Sequence, residues 1–202
     1  MKTVQKSTVW HIGTLNSALR NLGGYEGRGL SVSECPEDWR RICKLGGYPL
    51  HELSNKQGRF ADFYSMDLEK LHSWAVDQEL AQEVEIFRVM SICGETEEEY
   101  FFEFESYEKA LGELEGNGEE ELADELITKA KTFKATNKMN DLFGHEVSLG
   151  LTSEYLFNLF VAEKHPECDG IWYEHENDGY YSAPAGIIFD HKLSAWAHAE
   201  VG

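Results

Sequence analysis

Side chains able to bind or transform a ligand lie near both ends of the chain. At the N-terminal end, the apolar segment 8–12 runs into the motif His11-Ile12-Gly13-Thr14. A strand that ends in His-x-Gly-Thr brings an imidazole, a hydroxyl and bare backbone to one place. The later segment 30–33 adds the hydroxyls of Ser31 and Ser33. These residue types predict a ligand cleft where the two segments meet.

At the C-terminal end, two further apolar segments, 170–174 and 186–190, flank a polar stretch. Glu174 and Glu176 lie where the first of these segments ends. Their carboxylates are candidate catalytic groups, and they could also be plain solvated groups. In the same way, His11 is either a ligand-binding residue or a hydrogen-bonded histidine of the core.

Other common catalytic patterns are missing from the sequence. The His-Glu pairs at His51, His145 and His175 lack the i, i+4 histidine spacing of a helical zinc site, and the cysteines form no C-x-x-C pair. The glycine-rich stretch 24–29 matches neither a P-loop nor the dinucleotide fingerprint. We therefore expect no metal.

The elements that position these residues mix strands and helices without strict alternation. Alternating apolar residues predict strands over segments 8–12, 30–33, 48–53, 60–64, 83–92, 100–104, 170–174 and 186–190. Helical spacing predicts helices over 36–44, 65–76, 107–114, 119–131, 154–163 and 192–199, with Ser33 as N-cap of the first. The order favours an α+β fold with a split, mostly antiparallel sheet flanked by helices.

Taken together, the motifs at both ends resemble those of the ADP-ribosyltransferase family, in particular its small bacterial and phage members. His11-x-Gly13-Thr14 is similar to the family's first strand, and Ser31-Val32-Ser33 stands where a Ser-Thr-Ser motif lines the nicotinamide. The stretches 168–174 and 185–193 resemble the family's strand Tyr-Asp-Gly-Ile-x-Tyr-Glu and its closing strand. The resemblance covers the two ends, roughly a third of the chain.

The resemblance implies an ADP-ribosyltransferase-like fold with NAD, or a related nucleotide, in the cleft. It implies that His11, with Gly13 and Thr14, holds the ribose and the nicotinamide amide. It further implies that the nicotinamide pocket is lined by Ser31 and Ser33, and that Tyr25 belongs to the nucleotide-binding set. The implied activity is NAD-dependent transfer to a macromolecular target, with His11 and either Glu174 or Glu176 as the catalytic residues.

One departure from the family concerns its catalytic Glu, which lies at the start of the closing strand. The corresponding residues here, 182–186, contain no acid. Without a carboxylate, the developing oxocarbenium ion is not stabilised. Three alternatives stay open: Glu174 or Glu176 substitutes for it, the site binds a nucleotide without transferring anything, or the fold serves only as a scaffold.

The charge of the chain is concentrated in one block. Of the net charge of −19, most falls in residues 95–125, which hold thirteen Glu and one Asp against one Lys. We expect one domain over residues 1–202 with an acidic, helix-rich insertion at about 95–140. A rival hypothesis follows: a non-enzymatic interaction protein, such as an inhibitor, an immunity protein or a nucleic-acid mimic, whose acidic block binds a basic partner.

Composition narrows the setting. A hydrophobic content of 42% suffices for a core, so the chain is globular despite its charge. The acidic charge argues against direct binding to nucleic acid or to anionic lipid. No apolar run is long enough for a membrane span, and the first residues lack a signal sequence. We expect a cytoplasmic protein with reduced cysteines.

Overall fold

The computed structural model describes residues 1–16, 29–92, 99–173 and 185–201. Strands within these residues are β1 Thr3–Gln5, β2 Thr8–Ile12, β3 Leu30–Val32, β4 Leu50–Ser54, β5 Arg59–Asp62, β6 Ala81–Ile92, β7 Glu99–Phe104, β8 Ile127–Ala135, β9 Gly170–Trp172, β10 Gly186–Ile188 and β11 Ala197–Val201. The α-helices are α1 Pro36–Ile42, α2 Leu68–Asp77, α3 Tyr107–Asn117, α4 Ala123–Leu126, α5 Asn137–Phe143 and α6 Thr152–Lys164. Short 3-10 helices span Phe63–Ser65, Glu120–Leu122, Leu149–Leu151 and Asp190–Ala195. The α+β class is confirmed.

A five-stranded sheet in the order β1–β5–β9–β10–β3 forms the centre. All its strand pairs are antiparallel except β5 with β9. Successive residues of its inner strands face opposite sides. Ile171 and Ile187 belong to a core on one side, and Trp172 and Ile188 belong to a core on the other. The sheet is therefore covered on both faces, which explains why its inner strands are apolar throughout.

Helices α2 and α6 cover one face of this sheet. Leu71 of α2 and Leu156 of α6 are fully buried, and the rings of Trp74 and Phe160 meet edge to face at 5.3 Å. The predicted helix over 154–163 forms, and seven of the thirteen residues of α6 are buried. This helical layer and the central sheet enclose the largest core of the described residues.

A three-stranded antiparallel sheet, β11–β4–β2, covers the other face. Leu53 and Trp196 pack with Phe60 and Trp172 of the central sheet, so the two sheets share a core. The predicted terminal helix over 192–199 is wrong in its second half. Only the 3-10 helix Asp190–Ala195 forms, and β11 then pairs with β4 along its whole length. The central sheet, its two covering layers and α1 and α5 are called the main body below.

A second three-stranded sheet, β7–β6–β8, extends away from the main body. With α3 and α4 it forms what we call the outer lobe, residues 81–135. The first residue of β6, Ala81, and the last of β8, Ala135, lie in the main-body core. The far ends of the strands instead pack on a separate small core around Val89, Ala110, Leu114 and Ala123.

The predicted helix over 119–131 is also wrong in its second half, because the chain turns extended at Ile127 and continues as β8. Lysines that would decorate a helix are instead cross-strand partners. Lys129 holds Glu85 at 2.9 Å, and Lys131 holds Glu83 at 2.6 Å. Two lysines of β8 are thus paired with glutamates of β6, and a third, Lys134, pairs with Glu105 of the acidic block.

Membrane insertion through a helix finds no support in the residues that the structure describes. None of their helices combines the length and the apolar character that crossing a bilayer requires.

Candidate functional site

The imidazole of His11 lies inside the main body, where β2 meets β3. His11 is only 6% exposed, and its Nδ1 is 2.8 Å from the backbone carbonyl of Ser31. Since a carbonyl oxygen can only accept, Nδ1 carries a proton, and in the neutral ring Nε2 is then the acceptor. The ring stands edge-on to Trp39 of α1, with centroids 5.9 Å apart. His11 is thus held in one tautomer and one orientation.

Strands β2 and β3 separate just beside this histidine. Trp10 and Ser33 exchange two backbone hydrogen bonds, of 2.8 and 2.9 Å, and this is the one backbone pair joining the two strands in the described chain. Beyond it, the side chain of His11 reaches across to Ser31 instead. The strands therefore leave a notch, which we define by His11, Gly13, Thr14, Ser31 and His51.

Gly13 allows the chain to turn at the end of β2. Its φ is +126°, a conformation that side chains rarely adopt, and a Cβ there would lie 3.3 Å from His11 Nε2. The Gly13 N–H donates to the carbonyl of Pro49 at 2.9 Å, so this backbone donor is already used. The next residue, Thr14, is half-buried, and its Oγ1 accepts from the N–H of Asn16 at 3.2 Å. The hydroxyl proton of Thr14 remains the donor that this corner can offer.

His51 belongs to the same site, although nothing in its sequence neighbourhood singled it out. It is the direct register partner of His11 across β2 and β4. The two rings are near parallel, at 15°, with centroids 6.3 Å apart. His51 Nε2 donates to the Gly13 carbonyl at 3.0 Å, which leaves Nδ1 as its acceptor nitrogen. Only the strand pairing, which the sequence does not show, could have identified this residue.

The two serines of β3 and its end have different surroundings. Ser31 is half-buried and supplies the carbonyl that fixes His11. Ser33 is 2% exposed, and its Oγ accepts from the N–H of Cys35 at 3.0 Å. The prediction that Ser33 caps the helix is wrong, because α1 begins at Pro36 with Cys35 as N-cap. Of the two hydroxyls, Ser31 is the one with surface to offer a ligand.

Tyr25, Glu174 and Glu176 lie outside the described residues. The residues that flank the segment with the two glutamates are described. Tyr173 N–H donates to the Ala185 carbonyl at 2.8 Å, and Ala185 N–H donates to the Val32 carbonyl at 3.0 Å. The described ends of this segment are Tyr173, which follows β9, and Ala185, which precedes β10 and pairs with Val32 of β3.

A separate cleft of about 680 Å³ lies where the main body meets the outer lobe, beside the start of α5. Its two lysines are already occupied, since Lys134 pairs with Glu105 and Lys138 lies 3.7 Å from Glu79. Within the described ranges, no group of three or more His, Cys, Asp or Glu side chains is placed to hold a metal ion. The notch thus remains the candidate site.

Comparisons with known proteins place the chain in no family. No family model, no curated protein and no solved structure shows a significant match to it.

Proposed function

We propose that the notch binds NAD or a related nucleotide, in an ADP-ribosyltransferase-like fold. The observation that carries this proposal is the hydrogen bond from His11 Nδ1 to the Ser31 carbonyl, across two strands that have just separated. It turns the acceptor atom Nε2 toward Gly13, where the backbone has no side chain to fill the space. A fixed acceptor beside a bare backbone suits a ribose hydroxyl, which donates.

The other notch residues supply complementary groups for such a ligand. In this proposal His11 and Thr14 hold the ribose and the nicotinamide amide, while Ser31 lines the nicotinamide. His51 Nδ1 is a second acceptor nitrogen among the notch residues, and it is buried, as His11 Nε2 is. The five residues carry no formal charge when both histidines are neutral, which suits the uncharged ribose and amide more than a phosphate.

Transfer of ADP-ribose needs one more group. Nicotinamide leaves the ribose C1′ with the bonding electron pair, and a nucleophile of the macromolecular target bonds to C1′ and loses its proton. The positive charge that develops on the ribose must meet a carboxylate. Glu174 and Glu176 are the acids proposed for this role, because they follow β9 in the chain, and β9 belongs to the same sheet as β3.

Calorimetric titration with NAD tests binding. We expect saturable binding that weakens about tenfold or more in His11→Asn. The Asn amide can keep the donor to the Ser31 carbonyl, and it removes the acceptor that His11 Nε2 provides. His198→Ala is the matched control, because His198 is exposed on β11, and its affinity should equal that of the natural chain. Absence of NAD binding, or equal affinity in His11→Asn, would contradict the proposal.

Chromatographic detection of free nicotinamide tests the reaction. We expect release from NAD by the natural chain, and a loss of about a hundredfold in either Glu174→Gln or Glu176→Gln. Only one of the two substitutions should act, since one carboxylate suffices. Binding without release would leave a nucleotide-binding protein and reject the transfer step.

A further inference from the structure

Strand β7 forms an open edge of the outer lobe. Among the described residues it pairs with β6 on one side and with no strand on the other, in a sheet ordered β7–β6–β8. Three consecutive aromatic side chains on it are exposed: Tyr100 by 42%, Phe101 by 50% and Phe102 by 43%. Proteins usually blunt an exposed edge strand with charge, proline or a cover, because its free backbone groups can pair with another chain. Here three consecutive exposed side chains are instead aromatic, and the exposed Glu103 of the same strand is already paired with Arg88.

The aromatic residues occupy both faces of this edge. Tyr100 and Phe102 share one face, where their rings meet edge to face at 5.2 Å. Phe101 lies on the opposite face, directly across from Met90 of β6. An added strand would therefore find apolar contacts above and below its backbone. Contiguous exposed aromatic surface of this kind marks interaction sites on soluble proteins.

Charge indicates the kind of partner. Residues 99–126 carry ten Glu and one Asp against one Lys. Glu103 is engaged by Arg88, and Glu105 is engaged by Lys109 and Lys134. Six other carboxylates of the lobe are exposed, and none of them forms an ion pair in the part of the chain that the structure describes. They are Glu115, Glu119, Glu120, Glu121, Asp124 and Glu125. These acids lie on or just after α3, which packs on the same sheet as β7.

The negative charge of the lobe argues against two kinds of binding partner at the edge of β7. A second copy of the chain would bring two acidic lobes together, and like charges facing each other across an interface cost several kcal/mol. The phosphates of a nucleic acid would be repelled by the carboxylates of the lobe. A basic polypeptide would gain both from the attraction and from the aromatic contacts.

We propose that β7 docks an extended, basic segment of a partner protein, which adds to the sheet as a fourth strand beside β7. Backbone hydrogen bonds hold the segment, its apolar side chains cover Tyr100, Phe101 and Phe102, and its Lys or Arg side chains face the unpaired acids of the lobe. The partner is recognised by alternation of apolar and basic residues in an extended stretch. This site is separate from the notch and does not depend on nucleotide binding.

Fluorescence anisotropy with labelled peptides tests the proposal on the full chain. The probe is a peptide of about ten residues that alternates Lys and Val, long enough to cover a strand of ordinary length. Two further peptides serve as controls: one alternates Glu and Val, and one repeats the Lys-Val pattern with central prolines that block strand addition. We expect saturable binding of the first peptide only, weakening about tenfold or more as salt rises from about 50 mM to about 500 mM.

Protein variants separate the aromatic contribution from the charge. Phe101→Ser with Phe102→Ser should weaken binding of the Lys-Val peptide about tenfold or more. Tyr48→Ser is the matched control, because Tyr48 is 58% exposed on the main body, and it should have no effect. Circular dichroism and thermal melting check that each variant folds, as substitution of exposed residues should permit.

Several outcomes would overturn the proposal. They are no binding of the Lys-Val peptide, equal binding of the proline-containing peptide, and unchanged binding by the Phe101 and Phe102 variant. The second outcome would show attraction by charge alone, without strand addition. Sedimentation that reveals a dimer abolished by the same variant would assign the edge to a second copy and would equally reject a basic partner.

Discussion

The notch and the outer lobe present opposite kinds of surface. At the notch the polar groups are largely buried and already fixed by backbone carbonyls, as His11 is by Ser31 and His51 is by Gly13. On the outer lobe the aromatic rings and the carboxylates are exposed, and many of the carboxylates have no cation nearby in the described residues.

We expect this contrast to separate two sources of binding energy. At the proposed notch site, recognition should depend on where a few atoms sit, so small displacements should matter and salt should not. At the proposed lobe site, recognition should depend on charge and exposed area, so salt should matter and small displacements should not. The variants below test whether the two regions also differ in how they fold.

The largest effect should come from emptying the two cores. Leu156→Ala opens a cavity in the main body and Leu114→Ala opens one in the lobe, and both side chains are at most 1% exposed. Each should lower the free energy of unfolding of the region that contains its core by about 2–5 kcal/mol. Hydrogen exchange should show loss of protection throughout for Leu156→Ala. For Leu114→Ala the loss should be confined to β7, α3 and the far end of β6.

A Leu114→Ala protein that loses protection equally in β2, β9 and β10 would show that the lobe and the main body unfold as one unit. The two regions would then differ in their surfaces alone.

Gly13→Ala should come next, because it strains the notch itself. The positive φ of Gly13 and the nearness of His11 Nε2 leave no relaxed position for a Cβ. We expect a loss of about 1–3 kcal/mol in unfolding free energy by urea titration, together with weaker NAD binding. Gly46→Ala is the control, since a Cβ at Gly46 meets open space, and it should be neutral. Equal effects of the two substitutions would show that the backbone at Gly13 is no more constrained than the backbone at Gly46.

Gly112→Ala should stabilise the lobe. Gly112 lies within α3, and a Cβ there contacts nothing. Alanine in a helix interior gains about 0.5–1 kcal/mol over glycine. Gly118→Ala provides the opposite sign, because Gly118 ends the helix with a φ of +74° that alanine adopts poorly. Thermal melting followed by circular dichroism measures both, and a destabilised Gly112→Ala protein would contradict the placement of α3.

The smallest effect concerns the pH dependence of the lobe. The hydrogen bond and the charge of Lys134 lower the pKa of Glu105 below its usual value of 4.5. Such a carboxylate stabilises the fold above its unfolded pKa, and that contribution disappears as pH falls through the lowered value. Because both groups are exposed, Glu105→Gln should cost only about 0.2–1 kcal/mol near pH 7. In urea titrations at about pH 7 and at a strongly acid pH, the difference from the natural chain should shrink as the pH falls below 4.5, and it should disappear once Glu105 is protonated in the folded chain as well. A difference of equal size at both pH values would assign the effect to packing.

Much of the fold could be predicted from the sequence where side-chain burial alternates. Segments 8–12, 83–92 and 100–104 form the expected strands, because their apolar residues alternate or face two cores. Strand β11 escaped prediction because all its residues are exposed, so its pairing with β4 depends on backbone hydrogen bonds that leave no apolar pattern. Strand β8 escaped because its lysines satisfy glutamates across the sheet, a pairing that only the register reveals.

The candidate site was predictable only in part for a related reason. His11, Gly13 and Thr14 are adjacent in sequence, and their residue types suffice to mark a strand end. His51 joins them through strand pairing over a long stretch of chain, and the burial of Ser33 depends on how the chain continues into α1. Local motifs thus identified the notch residues that are adjacent in sequence, and only strand pairing in the folded chain brings His51 to them.

The place where the outer lobe joins the main body has a practical consequence. Val84 and Thr132 are register partners on neighbouring antiparallel strands, so the chain enters and leaves the outer lobe at adjacent positions. Phe133, stacked on His72 at 4.0 Å, lies on the main-body side of this pair and would be retained. Replacing the residues between Val84 and Thr132 with a tight Asn-Gly turn would therefore remove β7, α3 and α4 and leave residues 81–84 and 132–135 in place. The shortened polypeptide would keep the notch without the docking strand, so that each binding activity could be assigned by simple subtraction.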